Sequence, residues 1–146
     1  MKKTAFLFIV SALAFSSCKK DSVANSNCTP SDASIPGNFK LTAVKYKASP
    51  AATEADWFND PSYYAPCDKD DLYTLSSNHT AQITDAGIVC STSNSYSTTW
   101  SYSNNIFTFD GDSYNVDAYT CNSFTISYNS GYLIAGDKLT MTFIRQ

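Results

Sequence analysis

Ser123-Phe124-Thr125-Ile126-Ser127-Tyr128 and Leu139-Thr140-Met141-Thr142-Phe143 decide the fold. In both runs a large apolar side chain alternates with a small hydroxyl-bearing one. A chain with that period turns one face to a core and the other to water, which is the pattern of a half-buried antiparallel strand. Working outward, Trp100 and Tyr102 alternate with Thr99, Ser101 and Ser103, and Phe39, Leu41 and Ala43 do the same after Gly37. The apolar phase slips before Tyr46, which marks a kink in that strand. Turn-forming residues separate the runs: Ser77-Asn78-His79, Asp85-Ala86-Gly87, Ser103-Asn104-Asn105, Asp110-Gly111, Asn129-Ser130-Gly131 and Gly136-Asp137. About eight strands result, near 37–47, 71–77, 79–85, 96–103, 105–110, 112–119, 122–128 and 138–145. Short strands joined by hairpins form a meander, and a meander of this size closes into an all-β, antiparallel up-and-down barrel without exposed edges.

One segment breaks the rhythm. The connection from Ala48 to Asp70 is far longer than a hairpin loop. Within it, Thr53-Glu54-Ala55-Asp56 predicts a short helix with Thr53 as N-cap, stopped by Asn59-Asp60-Pro61. This helix is expected to act as a lid over one mouth of the barrel, between the first and second strands. Its apolar residues Trp57 and Phe58, with Tyr63 and Tyr64 after them, are the candidate ligand-binding residues.

The N-terminus reads as an export signal. Lys2 and Lys3 precede an apolar run, Phe6 to Ala14, too short to span a bilayer, and small residues Ser16 and Ser17 follow. Leu13-Ala14-Phe15-Ser16-Ser17-Cys18 resembles a bacterial lipobox, which implies cleavage after residue 17 and acylation of Cys18. The expected organisation is a signal peptide at 1–17, a lipidated flexible tether at 18–34 and one compact domain at 35–146. Residues 19–34 are rich in Ser, Asn, Asp and Lys, as a tether should be. Lys19-Lys20-Asp21 resembles the start of the surface-export signal of Bacteroidetes lipoproteins, and Asp21-Ser22-Val23 the short O-glycosylation motif of that phylum. The expected location is therefore the outer membrane, on either leaflet. Without Lys2 and Lys3, eight basic residues face 13 acidic ones. No basic patch remains for nucleic acid, so the expected partners are the membrane, through the N-terminal lipid, and a small apolar ligand.

Gly37-Asn38-Phe39-Lys40-Leu41, Cys67-Asp68-Lys69-Asp70-Asp71-Leu72-Tyr73-Thr74-Leu75, Cys90, Trp100-Ser101-Tyr102 and Leu139-Thr140-Met141-Thr142-Phe143 together resemble the lipocalin-like lipoproteins of the Bacteroidetes. The likeness covers roughly residues 35–146, and Gly37-Asn38-Phe39 falls where lipocalins carry Gly-x-Trp, with Phe in place of Trp. It implies a small antiparallel barrel without enzyme activity and carries over no defined ligand. Four cysteines remain beyond Cys18: Cys28, Cys67, Cys90 and Cys121, which allow three pairings. The resemblance implies Cys67–Cys90, and with that pair made Cys28 and Cys121 are left for each other. Wide spacings and a single His speak against a metal centre, and no cofactor is expected.

The remaining chemistry is sparse. His79 is the only imidazole and falls in a hairpin turn, where an exposed turn residue fits better than a triad member. Asp68, Asp70 and Asp71 could hold Ca²⁺ but lack the Gly and distal Glu of a calcium loop; a strand-entry role, capping loop amides and keeping an edge soluble, fits better. The aromatics are the stronger signal: Phe39, Tyr73, Trp100, Phe107, Phe109, Phe124 and Phe143 either fill the barrel or line a pocket. The expectation is a non-enzymatic barrel that binds a small apolar ligand at its mouth. The alternative is a surface module that binds glycan or protein through exposed tyrosines such as Tyr63, Tyr64 and Tyr96, with a filled barrel as scaffold.

Overall fold

The alternating runs become strands because each buries one row of rings and satisfies its backbone sideways, in a neighbour. The computed structural model describes residues 28–90, 95–129 and 131–146; the expected signal peptide 1–17, the expected acylation site Cys18 and the start of the expected tether lie outside them. The strands are β1 (Gly37–Lys47), β2 (Ala55–Asp56), β3 (Leu72–Leu75), β4 (Thr80–Thr84), β5 (Tyr96–Ser103), β6 (Ile106–Phe109), β7 (Asp112–Tyr119), β8 (Ser123–Asn129) and β9 (Lys138–Arg145). They form one antiparallel sheet in the order β2-β1-β3-β4-β5-β6-β7-β8-β9, and β1 also pairs with β9, so the sheet closes into a ring. All of the expected strands are present within a few residues.

The structure corrects two expectations in the lid. The sheet has nine strands rather than eight, and no helix starts at Thr53. Ala55 and Asp56 are the extra strand, paired with Tyr46 and Lys45 of β1. The Asp56 carboxylate turns forward, accepting from the Asn59 backbone N–H at 3.3 Å and from its Nδ2 at 2.8 Å. A one- or two-turn helix leaves most of its backbone groups unpaired and is marginal on its own. The free flank of β1 offers those groups partners, and Trp57 can then stack on Tyr46 at 4.3 Å. What helix the connection has is one 3-10 turn, Pro66–Asp68.

The phase slip in β1 is a bulge: Leu41 faces Phe143 and Ala43 faces Thr142, leaving Thr42 extra. The bulge lets Phe39 and Leu41 on one side of it and Val44 and Tyr46 on the other all point inward. A second bulge, at Asp117 of β7, was not foreseen; there Asp117 accepts from Ser127 Oγ at 3.0 Å and Lys138 Nζ at 2.7 Å.

Antiparallel closure puts the loops after β1, β4, β6 and β8 at one end, and those after β3, β5 and β7, with the start of β1 and the end of β9, at the other. The second end is sealed. Ile35, wholly buried, packs with Phe39, Trp100, Phe107 and Phe124, and Trp100 Nε1 donates to the Ser76 carbonyl at 2.9 Å. Arg145 closes the seal. Its guanidinium lies 4.7 Å over the Phe39 ring and donates to the carbonyls of Cys121 (2.8 Å), Pro36 (2.7 Å) and Ser34 (2.8 Å). Gly37 permits this, because a Cβ there would overlap the guanidinium. The Tyr119 hydroxyl also donates to the Ser34 carbonyl. Residues 28–34, placed in the tether by composition, are thus held by a Ser31–Ser34 turn, by Arg145 and by a disulfide from Cys28 to Cys121.

Candidate functional site

The open end is built differently. Above the seal, a cavity of about 160 Å³ is lined by Phe39, Leu41, Leu75, Phe107, Phe109, Phe124, Ile126, Met141 and Phe143, and by four tyrosines, Tyr64, Tyr73, Tyr96 and Tyr114. Strands β1, β3 and β5 to β9 contribute, because period two brings every second residue inward. The rings meet at differing angles, edge to face for Tyr73 with Phe143 at 5.2 Å and Phe107 with Phe124 at 4.9 Å, stacked for Phe107 with Phe109 at 6.2 Å. Rigid rings held at these differing angles leave a gap between them. The tyrosine hydroxyls are the polar groups of the wall. Burial first, and nearby tyrosines and carboxylates second, push the Tyr73 phenol well above its ordinary range. Burial and Asp112 push Tyr114 up to about 12. All four therefore stay neutral at physiological pH and offer donors to the cavity.

An acidic rim stands beside it. Asp71 precedes β3 and shares its inward face with Tyr73 and Leu75. The register pairs Leu72 with Thr84, which brings Asp85 opposite Asp71. Asp71 is only 8% exposed and its Oδ1 has no hydrogen-bond partner. Asp70 Oδ2 accepts from the Ile88 N–H at 2.7 Å, and a Cβ at Gly87 would collide with it. Burial, and then the Asp85 charge, raise the Asp71 pKa. The folded protein then holds this proton over a pH range in which the unfolded chain has released it, so ionisation costs stability as pH rises through that range. Asp71→Asn is expected to raise the melting temperature by roughly a few degrees at about pH 7 and to leave it unchanged near pH 2.5, where both states are protonated. An equal shift at both pH values, followed by circular dichroism, would mean that packing and not charge is responsible.

Across the mouth, Asp137 does the opposite job. It is 2% exposed, and one or other of its oxygens accepts the N–H groups of Gly131, Tyr132, Leu133 and Ile134 at 2.7 to 3.0 Å. Tyr46 donates its hydroxyl at 3.1 Å. Burial alone would raise its pKa, but the four N–H donors outweigh that and hold it down to about 2. The carboxylate thereby organises a loop whose tip, Tyr132-Leu133-Ile134, is exposed.

Of the four candidate lid residues, only Tyr64 lines the cavity. Trp57 is buried between Tyr46 and Tyr63, with ring centroids 4.3 and 4.2 Å apart. Phe58 packs on Tyr64, with Lys69 over its ring, and Tyr63 is about half exposed. These three cover the β1 side of the mouth. Tyr96, expected as an exposed surface tyrosine, is 45% exposed and also lines the cavity; Tyr114 is the residue sequence reasoning missed, and its inward register in β7 was the available signal. The disulfides are Cys67–Cys90 and Cys28–Cys121. Cys67, Asp68 and Cys90 lie close together, but oxidised sulfurs are not thiolate ligands. His79 is not an exposed turn residue: it is half-buried against Trp100, with its Nδ1 3.2 Å from the Trp100 carbonyl, at the sealed end. No helix among the described residues is long and apolar enough to cross a membrane. Compared with known proteins, the chain matches no family model, no curated protein and no solved structure.

Proposed function

We propose that the protein is an outer-membrane lipoprotein, anchored through Cys18, whose lipocalin-like barrel binds a small apolar ligand at its mouth without acting on it chemically. The cavity of about 160 Å³ carries this reading. A sealed floor supports a cup rather than a channel. Its size sets the ligand class. Drug-sized sites run to about 300–1,000 Å³, whereas a dry engineered cavity of about 150 Å³ in another protein takes a benzene ring. The ligand, or the part of it that enters, is therefore a single ring or a short branched chain. The anchor rests on the order of Lys2-Lys3, the short apolar run and Cys18.

Toluene serves as a probe. At about 0.7 kcal/mol for each of its carbon atoms it is expected to bind with a Kd of about 0.3 mM, read by calorimetry or by the fluorescence of Trp100 below the cavity. Met141→Phe should fill the gap and weaken binding about tenfold or more while the fold is kept. Toluene binding equally well to both proteins, or to neither, would overturn the proposal.

A second reading, a glycan- or protein-binding surface module, is favoured by the exposed Tyr63, Ile88, Val89 and Tyr132-Leu133-Ile134 on mouth-side loops. It leaves the cavity beneath them without a use.

A further inference from the structure

We propose that the ligand of this cavity is a small organic ammonium, its apolar body among the rings and its charged head among Tyr73, Tyr96 and Asp71. The inference rests on the reading of the cavity as a ligand site and names the ligand's chemistry.

Three observations carry it. No basic side chain is among the residues that line the cavity, and its polar wall consists of tyrosine hydroxyls. A carboxylate or phosphate head would find hydroxyl donors there but no counter-charge, and four rim acids, Asp68, Asp70, Asp71 and Asp85, would repel it. Next, Asp71 is more than nine-tenths buried, and one of its oxygens lacks a donor. The Ala86 N–H serves its carboxylate, Asp85 faces it across the strand pair, and Lys69 turns to the Phe58 ring instead. A buried acceptor left unserved destabilises the fold, and an ammonium N–H would serve it and neutralise the charge. Finally, Asp71 is buried at the entry to β3 and shares the alternating inward face with Tyr73 and Leu75, which line the cavity. The acid and the ring walls thus belong to one site. Ring faces carry negative potential and hold ammonium groups, more strongly where water is excluded. A dehydrated divalent cation fits less well, because no three of these rim carboxylates bring oxygens close enough to share an ion; the one such cluster among the described residues is Cys67, Asp68 and Cys90.

The test compares four probes on the exported protein by calorimetry: benzylamine, benzyl alcohol, toluene and calcium chloride. Benzylamine, cationic at neutral pH, is expected to bind about tenfold or more tighter than benzyl alcohol, its neutral counterpart. Asp71→Asn is expected to cut that ratio to about threefold or less while toluene binds as before. The ratio in the unaltered protein tests the idea even if the variant does not fold. Benzyl alcohol or toluene binding as tightly as benzylamine would overturn the ammonium proposal and leave the apolar site standing. Calcium binding that displaces benzylamine would overturn it in favour of a metal. Binding of none of the probes would remove both this proposal and the ligand site on which it rests.

Discussion

Arg145→Met is expected to destabilise the protein by about 3–5 kcal/mol. The guanidinium serves three carbonyls that come from distant parts of the chain: Ser34 and Pro36 before β1, and Cys121 between β7 and β8. Methionine fills much of the volume and keeps the packing on Phe39, so the loss isolates the hydrogen bonds and the ring contact. Each half-buried carbonyl left without a donor costs on the order of 1–3 kcal/mol, less where water reaches it, and the cation over Phe39 adds about 0.5–2 kcal/mol. Arg145→Lys should recover little, because one ammonium cannot reach all three oxygens in the plane that the fork spans. The measurement is urea unfolding of the three proteins, read at the midpoint with the slope held common. Lysine restoring full stability, or methionine costing less than about 1 kcal/mol, would mean that the seal is held by Ile35 and Trp100 alone.

Arg145 also shows where reading the sequence stops. As the penultimate residue of an acidic chain it looks like any terminal cation, because its partners are far away in sequence and are backbone atoms. Alternation could not reveal it, and alternation was the instrument. The same instrument served well elsewhere. Phe124, Ile126, Leu139 and Met141 point inward as their period requires, and the slip before Tyr46 is the bulge at Thr42. It failed at Thr53, where a local capping pattern competed with an unpaired flank of β1 and lost; the winning interaction joins Ala55 to Tyr46. Asp137 reads as a turn residue after Gly136, and only coordinates show four N–H groups converging on it. The cavity lies between these cases. Its rings were legible as inward-facing, but whether inward rings fill a ring of strands or leave a gap depends on tilts of a few tens of degrees, such as the 54° between Tyr73 and Phe109. Composition carries no information on that. Tyr64 is legible because the long connection marks a lid, whereas Tyr96 reads only as an exposed surface tyrosine and Tyr114 carries no signal beyond its place in β7.

Removing the Cys28–Cys121 bridge should cost more than removing Cys67–Cys90, yet only the second should disturb the mouth. The first joins residues 93 apart and the second residues 23 apart. On the chain-entropy account, whose mechanism is debated, loops of these lengths correspond to about 4.6 and about 3.4 kcal/mol. The predicted difference of about 1.2 kcal/mol is close to a tenfold change in the folded-to-unfolded ratio. Position works the other way. Cys28–Cys121 sits at the sealed end, where Arg145 and Tyr119 also hold residues 34–36 in place, so the native seal should survive its loss. Cys67–Cys90 ties the end of the lid to the loop after β4, next to Asp70 and Asp71. Cutting it frees the segment that fixes Asp70 against the Ile88 N–H and holds Asp71 at the entry to β3, beside the cavity. The double variant Cys28→Ser/Cys121→Ser is therefore expected to show the lower urea midpoint with unchanged toluene and benzylamine affinity. Cys67→Ser/Cys90→Ser is expected to show the higher midpoint with benzylamine affinity lowered about tenfold and toluene affinity lowered less. If the order of the two midpoints is reversed, native contacts around the lid outweigh loop entropy. If both variants bind benzylamine as the parent does, the rim acids play no part in recognition, and the cavity selects by shape alone.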